Sequence, residues 1–164
     1  MKILVTASSK HGATEETADA IAARLTFRGF DVLREAPEKV MSLEDIDAVV
    51  VGSAVYMLQW MAEAQSFVER FEGQLSSRRV WAFSVGMNGV PKHAPQDPSR
   101  IGPVLTRVEA VDHKTFPGRY VPQKLSLRER TVMRLASAVE GDFRDWDAVN
   151  AWADEIADAL LSRD

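Results

Sequence analysis

Cysteine is absent from this chain of 164 residues. That excludes disulfides, thiolate nucleophiles and cysteine-ligated zinc or iron-sulfur centres. Histidine is scarce: the three present, at positions 11, 93 and 113, lie far apart and show none of the spacings that hold a metal ion. Positive charge is not in excess either, since 20 lysines and arginines face 24 aspartates and glutamates for a formal net charge of -4. A nucleic-acid partner, which calls for a basic surface, is therefore not expected. No segment approaches the ~20 apolar residues of a membrane span, and the apolar run Ile3 to Val5 is too short for the core of a signal peptide. A soluble, cytoplasmic protein is the expectation. Repeats, low-complexity tracts and linkers are also missing, so residues 1–164 read as one domain, large enough to bury about two thirds of its unfolded surface.

What is present is an alternation of short apolar runs with helical patterns, the signature of a parallel sheet covered on both faces. The spacing predicts five strands, at Lys2 to Thr6, Phe30 to Glu35, Asp47 to Ser53, Arg79 to Val85 and Val111 to Phe116. Ala18, Ile21, Ala22 and Leu25 share one face of a helix from about Ala13 to Arg28, which Gly29 stops. A second helix, Met61 to Leu75, buries Ala64, Phe67, Val68 and Phe71. Asp97-Pro98 starts another, running to about Glu109 with a break near Gly102-Pro103. Ser126-Leu127-Arg128-Glu129 has capping-box spacing and opens a short helix to about Ser137. In the last helix, Asp145 to Leu161, the stripe Trp146, Val149, Trp152, Ile156 and Leu160 reads as core.

Open parallel sheets bind ligands beyond the carboxyl ends of their strands, where strand order reverses. Three segments meet there: Thr6 to Thr14, Gly52 to Trp60 and Ser84 to Lys92. The first joins a strand to a helix N-terminus, whose unpaired amides and positive dipole end suit an anion. Ser8, Ser9 and Thr14 add hydroxyls, Lys10 a charge, and Gly12 close backbone approach. The second segment offers Tyr56 and Trp60 for stacking; the third offers small residues and the amide of Asn88. Other phosphate-binding patterns are missing: no Gly-x-Gly-x-x-Gly follows the first strand, and no Gly-x-x-x-x-Gly-Lys-Ser/Thr occurs. A nucleophile-elbow sequence is absent too. A phosphate seat beside a flat aromatic surface suits a nucleotide-like cofactor such as flavin mononucleotide (FMN).

Ser9-Lys10-His11-Gly12-Ala13-Thr14, read with Gly52-Ser53-Ala54-Val55-Tyr56 and Ser84-Val85-Gly86-Met87-Asn88, resembles the three flavin-contacting loops of the flavodoxin superfamily. The ending Glu140-Gly141-Asp142-Phe143-Arg144-Asp145-Trp146, after the long segment Phe116 to Trp146, resembles one branch of it, the menaquinone-dependent protoporphyrinogen oxidase or flavodoxin-domain proteins. The resemblance implies a flavodoxin-like doubly wound sheet of strand order 2-1-3-4-5 with helices on both faces. It implies non-covalent FMN, its phosphate held by Ser8, Ser9, Lys10, His11, Gly12, Ala13 and Thr14. The ring would lie between Ser53, Ala54, Val55 and Tyr56 on one side and Ser84, Val85, Gly86, Met87 and Asn88 on the other. No acid or base residue is assigned, because the flavin carries the chemistry. The implied reaction is oxidation of protoporphyrinogen or a similar reduced small molecule with a quinone as acceptor. The alternatives are an electron carrier serving a redox-partner protein and a flavin-free binding module.

Two departures from the family pattern stand out. His11 replaces a customary hydroxyl residue, so it is either an exposed loop histidine or an imidazole contact to phosphate. The third loop has no aromatic residue, which leaves one ring face open to a substrate or quinone. The segment Lys124 to Arg134 alternates Arg128, Arg130 and Arg134 with Leu127, Val132 and Met133. It reads either as a solvated face over an apolar stripe or as a peripheral contact with the inner face of a membrane or with a carboxylate-bearing substrate.

Overall fold

The computed structural model describes residues 1–56, 59–86, 106–135 and 140–162. Its central sheet contains β1 (Lys2–Ser8), β2 (Asp31–Arg34), β3 (Ala48–Tyr56), the two-residue β4 (Gln59–Trp60), β5 (Arg79–Gly86) and β6 (Asp112–Pro117). The five long strands are parallel in the order β2-β1-β3-β5-β6, and β4 turns back antiparallel on the end of β3. That is the expected 2-1-3-4-5 order, with β4 as an addition. The strand order reverses between β1 and β3, which run parallel with their carboxyl ends side by side, Ser8 opposite Ser53.

Alternation along the strands divides the core in two. Ile3, Val5, Val50, Trp81, Phe83 and Phe116 face α1 (Ala13–Phe27) and the last helix, α4 (Trp146–Leu161). Leu4, Val49, Val51, Val80 and Ala82 face α2 (Ala62–Leu75), which brings in Ala64, Phe67, Val68 and Phe71. Phe67 and Phe71, four apart, lie on one helix face with ring centroids 5.2 Å apart. Across the other layer Arg24 of α1 and Arg28, which caps its end, both reach Asp154 of α4, at 2.8 and 2.9 Å, and hold its carboxyl down to about 2. Asp145 caps α4 by accepting from the Ala148 amide at 3.0 Å.

The stripe of α4 is core from Val149 onward, and Trp152 is buried with its indole Nε1 donating to Asp112 at 2.7 Å. Trp146 is a correction to the expected core: it is 39% exposed, with the Arg144 guanidinium 4.7 Å over its ring. It sits in the first turn of α4, ahead of the point where the helix meets the sheet. Residues 97–105 of the helix expected from Asp97 lie outside the described residues.

After β6 the chain forms a strap. β7 (Arg119–Tyr120) pairs antiparallel with β8 (Gly141–Asp142), and between them runs α3 (Leu127–Leu135). The capping box is formed as read: the Ser126 amide donates to Glu129 Oε2 at 2.8 Å and the Glu129 amide to Ser126 Oγ at 3.2 Å. The Gly118 amide donates to Gly86 O at 2.8 Å, and the Phe143 amide to Gly118 O at 3.1 Å, which tie the strap to the end of β5.

One buried polar chain crosses the α2 face. Trp60 Nε1 donates to Ser84 Oγ at 2.8 Å, and Ser84 Oγ lies 2.8 Å from His113 Nε2. His113 Nδ1 is buried without a hydrogen-bond partner. Burial holds the imidazole below its usual pKa, opposed in part by the charge of Asp112. The unfolded chain takes up this proton near its ordinary value of about 6.5, the folded chain only at lower pH. The stability involved is therefore whole above that value and lost as pH falls through the folded pKa. The urea midpoint is expected to drop between about pH 7 and pH 5, and His113→Gln to flatten that drop. An equal slope in the two proteins would assign the effect elsewhere.

Candidate functional site

The site is built at the carboxyl ends of β1, β3 and β5. β1 ends at Ser8, and a tight turn then delivers the chain into α1. Gly12 takes φ +88, a left-handed conformation that favours glycine, and its amide donates to Ser9 Oγ at 2.9 Å. The first intrahelical bond runs from the Glu16 amide to Gly12 O at 3.1 Å. The amides of Ala13, Thr14 and Glu15 thus precede any intrahelical acceptor, and no side chain caps the helix. Beside this end, Ser8 Oγ is buried without a partner. An uncapped helix N-terminus next to an unpaired buried hydroxyl has the donors, and the dipole the sign, that suit an anion.

A cleft opens next to it. Ser9, Lys10, His11, Ala13 and Thr14 form one side, Ala54, Val55 and Tyr56 the second, Val85 and Gly86 the floor. Ser8 and Gly12 shape the turn behind this lining. Met87 and Asn88 lie outside the described residues. Ser53 and Ser84, by contrast, are fully buried and turned to the α2 face, because they continue the alternation of Val51 and Ala82. Ser53 Oγ accepts from the Met61 amide at 2.8 Å and donates to Ala54 O at 2.8 Å. These hydroxyls set the start of α2 and the buried chain to His113; they do not line the cleft. Trp60 is corrected in the same way: it is buried against α2 and offers no stacking surface. Tyr56 alone of the two aromatics stands on the cleft, 41% exposed.

The fourth wall comes from the strap. Residues 118–121, Leu125, Val132 and Met133 line the cleft opposite the three loops. The length of the segment Phe116 to Trp146 and its capping box were the sequence signals here; neither said where it would fold. Arg119 anchors it, with Nη1 3.0 Å from Glu16 and Nη2 donating to His11 O at 3.2 Å. Arg144 binds Glu16 and Asp142, and holds both carboxyls below their ordinary range. Glu129 Oε1 is 2.6 Å from Lys10 Nζ and 3.5 Å from His11 Nε2. Lys10 Nζ in turn sits 3.6 Å from the centroid of the Tyr56 ring. Glu129 is held down to about 2, chiefly by Lys10 and then by the Ser126 amide, while Lys10 is raised by Glu129. So the Lys10 ammonium is paired with a carboxylate from α3, and the His11 ring lies beside the same oxygen.

No helix among the described residues is long and apolar enough to cross a membrane. The flavodoxin domain family profile matches residues 4–147. No match was found among curated protein sequences. Among solved structures, a flavodoxin from the domain Archaea superposes with a TM-score of 0.67 at 15% identity, covering 99% of this chain and 100% of that one. A flavodoxin from Streptococcus pneumonia TIGR4 gives 0.62 at 15%, covering 97% and 99%. The rubredoxin oxygen:oxidoreductase of Desulfovibrio gigas gives 0.66 at 16%, covering 97% of this chain and 36% of that one, so this chain spans about a third of that protein. At these identities the structural likeness establishes the fold, and the profile match establishes more: the chain belongs to the flavodoxin domain family, which implies FMN as its cofactor.

Proposed function

We propose that this protein is an FMN-dependent oxidoreductase in which a reduced organic substrate, protoporphyrinogen or one like it, meets the cofactor in the cleft and a quinone takes the electrons. The residues present fit FMN. The α1 amides with Ser8, Ser9 and Thr14 would hold its phosphate, and Val55, Tyr56, Val85 and Gly86 would flank its ring. When bound, FMN supplies the redox chemistry, taking two electrons from a reduced substrate and passing them to an acceptor. This chain's own residues bind, orient and exclude water. The observation that carries the enzyme reading is the apolar wall of Leu125, Val132 and Met133, which the strap adds beside the cofactor loops. An organic substrate needs such a wall; outer-edge electron transfer to a protein does not.

The exposed apolar residues of α3, Leu127 and Leu135, stand with Arg128 and Arg134 and favour a peripheral approach to a quinone held in an anionic bilayer. The carrier reading draws support from the near end-to-end match to a stand-alone flavodoxin. The deciding experiment loads the protein with FMN and follows protoporphyrinogen oxidation with a soluble quinone and with quinone in anionic vesicles. Each two-electron step should move two hydrogens from substrate to quinone, giving quinol, with vesicles faster. A protein that takes FMN, exchanges electrons with a reductase and never turns over with quinone is a carrier.

A further inference from the structure

The cation of the phosphate loop already has an anion. Lys10, His11 and the uncapped end of α1 form a seat for negative charge, yet Lys10 Nζ lies 2.6 Å from Glu129 Oε1 and His11 Nε2 3.5 Å from the same oxygen. Glu129 is not a long side chain that strayed there. Its other oxygen accepts from the Ser126 amide at 2.8 Å, so the capping box fixes its direction. Its side chain is 10% exposed, which weakens solvent screening of the contact. Lys10 is confined on its far side by the Tyr56 ring, 3.6 Å from Nζ to centroid. Arg119 holds the strap to this loop through the His11 carbonyl and Glu16.

We infer that Glu129 is a built-in competitor for the cofactor's phosphate: it occupies Lys10, with His11 beside the same oxygen, as an internal anion, lowers affinity for phosphorylated flavin, and couples cofactor loading to loss of α3's ionic tie to the first loop while Arg119 keeps the strap over the cleft. This rests on the FMN reading of the site. A phosphate entering the loop brings up to two negative charges toward a carboxylate that is ionised at neutral pH, and like charges in a partly buried site repel. Lys10 and His11 can then serve the phosphate only by leaving Glu129. When they do, α3 keeps its capping box but loses its ionic attachment to the first loop. The same contact discriminates by charge, because riboflavin, which lacks the phosphate, has nothing to displace.

Glu129→Gln is the informative variant. Glutamine at this position preserves the capping box, so the helix start survives while the charge is removed. Apo protein is titrated with FMN and with riboflavin by flavin fluorescence. The substitution should tighten FMN by about tenfold or more, the scale of a hydrogen bond to a charged group. Riboflavin affinity should stay within about twofold, and hydrogen exchange of residues 126–135 should rise on FMN addition to the wild type. Unchanged or weakened FMN binding in Glu129→Gln, with the wild type binding well, would overturn the competitor role and leave the cofactor site standing. If neither protein takes up FMN, the cofactor reading itself falls and the competitor with it.

Discussion

Gly52→Ala is expected to destabilise the protein by about 3 kcal/mol, at the upper end of what an added methyl costs in a packed core. A Cβ built on Gly52 would lie 2.2, 2.3 and 2.5 Å from three atoms of the Phe83 ring. Gly52 and Phe83 are register partners on the central strands β3 and β5, so backbone retreat would break the ladder on both sides. The ring cannot swing aside either. Phe83 is fully buried, edge-on to Trp152 with centroids 6.1 Å apart and tilted against Phe116 at 6.4 Å. Urea denaturation monitored by tryptophan fluorescence measures the loss. Phe83→Leu in the Gly52→Ala background should recover part of it, because leucine vacates the space the ring tip fills. A Gly52→Ala protein within about 1 kcal/mol of wild type would mean that this layer repacks more freely than the interlocked aromatics suggest. The consequence reaches the site, since Gly52 leads directly into Ala54, Val55 and Tyr56 on the cleft wall.

Much of this architecture was legible in the residues themselves. Short apolar runs alternating with helical stripes gave the parallel sheet covered on both faces, and the resemblance of the three loops to flavodoxins implied its strand order. Ser126 and Glu129 gave the start of α3 because a capping box is a local device, readable across four residues. The first loop was legible for the same reason. What escaped was set at long range. Tyr56 and Trp60 are equivalent as sequence, but the turn into β4 keeps one on the cleft and sends the other beneath α2. Ser53 and Ser84 read as cleft hydroxyls until strand alternation assigns them to the opposite face. Trp146 and Trp152 share a helical stripe, and only the point where α4 meets the sheet separates a half-exposed ring from a buried one. The strap's return over the first loop depends on Arg119, Gly118 and Glu129 meeting partners more than thirty residues away, for which no local pattern exists.

Removing the first-loop hydroxyls tests the seat itself, and the expected result is a loss of about a hundredfold in FMN affinity for Ser9→Ala combined with Thr14→Val. Hydrogen bonds to a charged group contribute about 1.5 to 3 kcal/mol each, so two of them span about 3 to 6 kcal/mol. The lower end applies here, because Ser9 Oγ accepts from the Gly12 amide at 2.9 Å. Its removal frees that amide to turn toward the phosphate and offsets part of the loss. Valine at position 14 has the same branched outline as the buried threonine and lacks only its hydroxyl, so no cavity opens where α1 packs on the sheet. Riboflavin provides the internal control: it makes no phosphate contact, and its affinity should hold within about threefold, which is less than 1 kcal/mol. A parallel loss for both flavins would signal collapse of the turn around Gly12. FMN affinity kept within about threefold in the double variant would take the phosphate away from these hydroxyls and leave it to the α1 amides alone.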